Sequence, residues 1–127
     1  MTSIRVLIVD DMAQVRRDLS TVLPLAGQAA GLELEIVGEA GNGQEAIQQA
    51  AALRPDVVLM DIGMPVMSGC EATRQIKAGS PDCRVIALTI HGDEVVRQKA
   101  IQAGVDDFVV KGAPITSLIQ VMVKEKE

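Results

Sequence analysis

The sequence predicts an open three-layer α/β/α sandwich. Short apolar runs alternate five times with amphipathic segments along 127 residues, and chemically capable polar side chains stand at or just past the C-terminal ends of four of those runs. Alternation of this kind builds a parallel sheet with helices on both faces, whereas a closed (β/α)₈ barrel needs about twice this length. One domain, residues 1–127, is expected.

Residues 4–9, Ile-Arg-Val-Leu-Ile-Val, suit a strand covered on both faces. A helix follows over residues 12–29, where Val15, Leu19, Val22, Leu23 and Ala26 recur at helical spacing. Asp11 is a candidate cap for it, and Pro24 is expected to kink it or end its regular part early. Residues 32–39 read as a more exposed edge strand. Gly41-Asn42-Gly43 supplies a turn and lacks the spacing of a phosphate loop. Ala46, Ile47, Ala50, Ala51 and Leu53 form a helical stripe that Pro55 terminates. Residues 57–60 are a short buried strand, and a helix around residues 68–78 has Ser68 as its cap. A strand at 84–88, a helix at 93–103, a strand at 105–110 and a helix at 114–124 complete the alternation, with Pro114 in the first turn of the last helix. Right-handed crossovers and one site shared by the first, third, fourth and fifth runs favour the flavodoxin-like order 2-1-3-4-5.

Composition narrows the function classes. A net charge of -5 with no Lys/Arg-rich block argues against direct nucleic-acid binding and favours a cation or a basic protein partner. Phe108 is the only aromatic residue, so the core is aliphatic and Phe108 itself reads as a buried plug. Cys70, Cys83 and the single histidine, His91, have no ligand-like spacing; reduced thiols and a cytoplasmic location follow, and His91 reads as a surface group. No apolar stretch approaches the ~20 residues needed to cross a bilayer.

Chemistry concentrates at the strand ends. Asp10 and Asp11 follow the first run, Asp61 the third, Thr89 the fourth and Lys111 the fifth, and the carboxyl edge of an open α/β sheet is where ligands bind. Three carboxylates in one place repel unless a cation compensates them. Mg²⁺ suits all-oxygen ligands and retains water, so Asp11 and Asp61 are direct-ligand candidates, Asp10 acts through water, and a backbone carbonyl such as that of Gly63 completes the protein share. The DxDxDG pattern of a calcium loop is missing. Asp61, on the central run, is the candidate nucleophile, with Lys111 and Thr89 placed to compensate phosphoryl oxygens.

The motifs Val-Asp-Asp at 9–11, Asp-Ile-Gly-Met-Pro at 61–65 with Gly69 beyond, Leu-Thr at 88–89, and Ala103-Gly104 leading to Phe-Val-Val-Lys at 108–111 resemble the receiver domain of two-component response regulators. The resemblance runs over residues 4–123, and the Glu-Ala-Gly-Asn-Gly-Gln-Glu-Ala segment at 39–46 makes it most similar to the NarL/FixJ type. It implies Mg²⁺ on Asp10 and Asp11, phosphorylation of Asp61 by a histidine kinase or phosphotransfer protein, phosphoryl contacts from Thr89 and Lys111, and an aromatic switch at Phe108. It also implies output through the face formed by residues 93–103, 105–110 and 114–124, toward another protein or a second copy of the domain, and a DNA-binding output domain in a longer parent protein. No output domain is expected within this chain.

Two departures from that family pattern stand out. Gly112 replaces the usual proline after the lysine, and because a non-proline cis bond costs ~2.5–4 kcal/mol, a trans Lys111–Gly112 bond is expected. The chain ends in Lys-Glu-Lys-Glu without a linker, which fits a receiver excised from a larger protein or a single-domain relay protein. Two other function classes compete. A small Mg²⁺-dependent aspartyl-phosphate phosphohydrolase would benefit from an acid two residues past its nucleophile, where this chain has Gly63. A non-phosphorylated interaction module would keep partner binding after Asp61 is replaced.

Overall fold

Strands that are apolar on both sides can be satisfied only by helices on both faces of the sheet. The computed structural model describes residues 2–63, 69–89 and 94–123. Its strands are Thr2–Val9 (β1), Leu32–Ala40 (β2), Val57–Asp61 (β3), Arg84–Thr89 (β4) and Asp107–Val110 (β5), all parallel, in the order β2-β1-β3-β4-β5. The helices are Ala13–Ala29 (α1), Gly43–Leu53 (α2), Gly69–Gly79 (α3), Glu94–Ala103 (α4) and Ile115–Val123 (α5). The predicted flavodoxin-like architecture is the observed one.

Side-chain alternation sorts the interior into two layers. Ile4, Val6, Ile8, Leu59 and Ile86 face α1 and α5, where Leu23, Leu118, Ile119 and Met122 receive them. Leu7, Val9, Val58, Met60, Val85 and Ala87 face α2, α3 and α4, which answer with Ala46, Ala50, Ala72, Ile76 and Ala100. Alanines let that second set of helices lie close to the sheet, while burial of each large aliphatic side chain contributes about 1.5–3 kcal/mol.

Several local readings change. Pro24 lies inside α1, which continues to Ala29. The helix loses one backbone donor there but is held by buried Leu23 and by Gly27, whose Cα lies so close to β2 that an added Cβ would stand 2.8 Å from Leu34. Asp11 is not the cap of α1: Met12 holds that position with no side-chain cap bond, and Asp10 Oδ1 accepts the Met12 N–H at 2.9 Å. Gly43 belongs to α2 and not to the turn; Asn42 Oδ1 caps the helix by accepting from Glu45 N–H at 2.9 Å. That helix stops at Arg54, left-handed at φ 48, just before Pro55. Strand β5 begins at Asp107, two residues later than its apolar run, and Pro114 precedes α5, accepting the Ser117 N–H on its carbonyl. The readings placed on Met64, Pro65, Ser68, His91, Asp93 and Lys124 lie outside the described residues.

β2 is an edge strand, as its polarity predicts, and it carries a bulge: Val6 pairs with Ile36 but Leu7 pairs with Gly38, so Val37 is left over. Beyond the bulge Glu39 stands beside Ile8, on the α1 side of the sheet, and Ala40 beside Val9. Unbroken pairing would have put Glu39 beside Val9, on the opposite face.

Candidate functional site

Asp10 is fully buried just past β1. Its N–H donates to the Ala40 carbonyl at 3.1 Å, its own carbonyl accepts from Arg16 Nη1 at 2.6 Å, and its Oδ1 is taken by Met12. Only Oδ2 remains: it lies 2.9 Å from Lys111 Nζ as an ion pair, yet among the described residues no donor addresses it with hydrogen-bond geometry. Asp11, the next residue, is exposed.

Asp61 is the last residue of β3, its Oδ1 accepting the Gly63 N–H at 2.9 Å and its Oδ2 lying 3.1 Å from Lys111 Nζ. Its backbone abuts the start of α3: a Cβ on Gly69 would stand 2.5 Å from the Asp61 carbonyl oxygen and from Ile62 Cα. Any larger residue at position 69 would therefore displace the strand end that carries Asp61.

Lys111 follows β5. Its N–H donates to the Thr89 carbonyl at 2.6 Å, and Gly112 takes φ +91, a left-handed conformation that suits glycine. No cis peptide bond occurs among the described residues, so Lys111–Gly112 is trans, as the sequence predicts. Burial alone would pull the Lys111 ammonium down, but its close pairing with the Asp10 and Asp61 carboxylates and attraction to their charges outweigh it, and its pKa is raised.

Ligand oxygens of Asp10, Asp11 and Asp61 all lie within 4.8 Å of one another. With one ammonium against three carboxylates among the described residues, the cluster retains a deficit of positive charge; hard oxygens converging this closely, on a site where Asp10 also holds a buried oxygen without a hydrogen bond among those residues, fit a small divalent cation of the Mg²⁺ kind. Thr89 is buried one residue beyond Leu88, the register partner of Asp61. Phe108 pairs in register with Ala87 and packs against the α2–α4 layer. It is half-buried and not a plug, and the Arg97 guanidinium lies over its ring, 4.9 Å from the centroid.

Sequence reasoning passes over Arg16. On a helix its position falls just off the apolar stripe, which is the one signal that could have drawn attention to it.

Acids at the ends of the first and third strands, facing a lysine after the fifth across a 2-1-3-4-5 sheet, define a receiver-type domain. Residues 6–123 match the model of the response regulator receiver domain, and the chain belongs to that family. It is 38% identical over 118 residues to the response regulator GacA of Pseudomonas viridiflava, covering 92% of this chain and 52% of that one, so it spans about half the length of that relative. The signal receiver domain of the response regulator NarL from Mycobacterium tuberculosis superposes with a TM-score of 0.86 at 27% identity, over 97% of this chain and 95% of that one. CheY in a CheX-CheY-BeF3-Mg²⁺ complex from Borrelia burgdorferi gives a TM-score of 0.80 at 27% identity, over 95% and 90%. Among the described residues no helix is long and apolar enough to cross a membrane.

Proposed function

We propose that this receiver takes a phosphoryl group onto Asp61 from a phosphohistidine of a sensor histidine kinase or phosphotransfer protein, in the cytoplasm. The observation that carries the reading is the Lys111 ammonium held jointly by Asp61 and Asp10 at the rim of the acidic cluster. An Asp61 carboxylate oxygen forms the new P–O bond as the P–N bond to the donor imidazole breaks, and the imidazole leaves with the nitrogen electron pair and takes up a proton. Asp11 and Asp61 are the direct ligands proposed for Mg²⁺, with Asp10 acting through water and the Gly63 carbonyl completing the set. The bound ion supplies charge compensation to phosphoryl oxygens. Lys111 compensates them from the other side, and the Thr89 hydroxyl moves to meet the phosphoryl group. The CheY relative crystallised with BeF3, Mg²⁺ and a second protein supports this reading.

Thr89 and Phe108 lie on neighbouring strands, two residues apart in register. Movement of Thr89 lets Phe108 repack and biases a pre-existing inactive-active equilibrium. The output surface is the face of α4, β5 and α5, where Val95, Ile101, Val110 and Val123 are large, apolar and exposed; a second copy of the domain is the proposed partner there. A DNA-binding output domain in a longer parent protein is consistent with the half-length match to GacA.

The test is incubation with Mg²⁺ and acetyl phosphate followed by peptide mapping. A stoichiometric, hydroxylamine-sensitive adduct on Asp61 is the expected result. Multiple turnover of unrelated phosphomonoesters would favour a phosphohydrolase instead. A folded, Mg²⁺-binding sample that accepts nothing from several donors overturns the assignment.

A further inference from the structure

We infer that Arg16 is a positioning residue for the divalent cation, holding the Asp10–Asp11 peptide so that the Asp11 carboxylate joins those of Asp10 and Asp61. The inference rests on the cation-binding reading above and adds to it a residue from α1 that is not itself a ligand.

The carbonyl that Arg16 Nη1 holds at 2.6 Å belongs to the peptide linking the two acids. Fixing that carbonyl fixes the plane from which Asp11 departs. On its other side the same residue is tied by Asp10 N–H to Ala40, so the peptides flanking Asp10 are both held from outside β1. Asp11 needs such help because it is exposed and lies outside both β1 and α1.

Arg16 is itself held. Its Nε lies 3.4 Å from Glu39 Oε1, its side chain is only 20% exposed, and Ser20 Oγ donates to Glu39 Oε2 at 3.1 Å. The bulge at Val37 puts Glu39 on this face of the sheet. Gly41 leaves room for the guanidinium: a Cβ there would stand 3.3 Å from Nη1. The guanidinium thus ties the residue that follows β1 to the end of β2, with its donors on the Asp10 carbonyl and the Glu39 carboxylate.

Electrostatics and positioning predict opposite signs here. A cation near a cation site repels the metal, so if Arg16 acted only through its field, removing it would tighten binding. If it positions Asp11, removing it weakens binding, as loss of an outer-shell partner typically does.

The experiment is isothermal titration of Mg²⁺, with Mn²⁺ as a second probe, into the whole chain and its Arg16→Ala, Arg16→Lys and Glu39→Gln variants, each checked for folding by amide NMR. Arg16→Ala should weaken binding about tenfold. Arg16→Lys, which keeps a donor for the Asp10 carbonyl, should recover part of the loss, and Glu39→Gln, which removes only the brace, should lose less than Arg16→Ala. In metal-free samples the Asp11 amide resonance should move in Arg16→Ala more than in Glu39→Gln. Unchanged or tighter binding by folded Arg16→Ala overturns the inference while leaving the metal site standing. Failure of the unaltered chain to bind either ion overturns both.

Discussion

The two rims of the sheet use the same residue types to opposite ends. At the amino rim charges are closed off: Lys77 Nζ meets Asp106 Oδ2 at 3.0 Å, the Cys83 carbonyl at 2.8 Å and the Pro81 carbonyl at 3.1 Å. Asp106 Oδ2 also accepts the Val85 N–H at 2.8 Å, and Arg84 donates to the carbonyls of Val121 and Met122 at 2.7 and 2.8 Å. At the carboxyl rim, among the described residues, a single lysine faces Asp10, Asp11 and Asp61, and a buried carboxylate oxygen has no hydrogen bond. A saturated rim stores stability, whereas an unsaturated one stores affinity for something still to arrive.

Lys77→Met should break the closed rim hardest. One ammonium with three acceptors disappears, and the cost should be about 2–4 kcal/mol in urea unfolding, unaltered by Mg²⁺. Recovery on adding Mg²⁺ would contradict the separation of the two rims. Lys111→Met should cost less, about 1–3 kcal/mol in metal-free buffer, because its ammonium has two partners where that of Lys77 has three. Saturating Mg²⁺ should restore most of that loss, and Mg²⁺ titration should give equal or tighter affinity, the reverse of the Arg16→Ala result. If stability ignores Mg²⁺ in this variant, the carboxyl rim is not waiting for a cation.

Asp11→Asn should move stability upward, by about 0.5 kcal/mol without metal, because it relieves repulsion at an exposed position. Thermal melts at low and high salt check this, and the gain should shrink as salt screens the cluster. The smallest effect is alkaline. The folded pKa of Lys111 is raised, so its contribution is fully present below the unfolded lysine value and is lost as pH climbs through the raised one. Unfolding free energies should therefore fall more steeply with pH above the lysine range in the unaltered chain than in Lys111→Met. Equal slopes would mean that the ammonium gains nothing from its two carboxylates.

Legibility from sequence followed the periodic signals. Strands covered on both faces read as unbroken apolar runs, and the charged residues at their ends take their positions from that assignment, which is why the sequence alone brings Asp10, Asp61 and Lys111 to one edge. Non-periodic features were harder. Nothing in the sequence distinguishes Asp10 from Asp11 as the residue that binds the start of α1, because both precede the helix and only the strand register buries one of them. Pro24 reads as a breaker by propensity, and tertiary packing overrides it. Phe108 looks like core because it is aromatic, but β5 is the other edge of the sheet, where one face lies open to α4 and the guanidinium of Arg97. What Arg16 holds is visible only once β2 has been placed beside β1, since its partners lie 6 residues before it and 23 after it.

The leftover residue at Val37 has a consequence for how this chain can change its length. A single-codon deletion at that point would leave Gly38 opposite Leu7, Glu39 opposite Ile8 and Ala40 opposite Val9, with the pairing merely made continuous. β1 has no such slack, since it is paired to β2 on one side and to β3 on the other. Losing one residue between Ile4 and Val9 would invert the parity of everything downstream in the strand and turn Asp10 away from Asp61. Deletions should therefore be inherited through the edge of this sheet and purged from its centre.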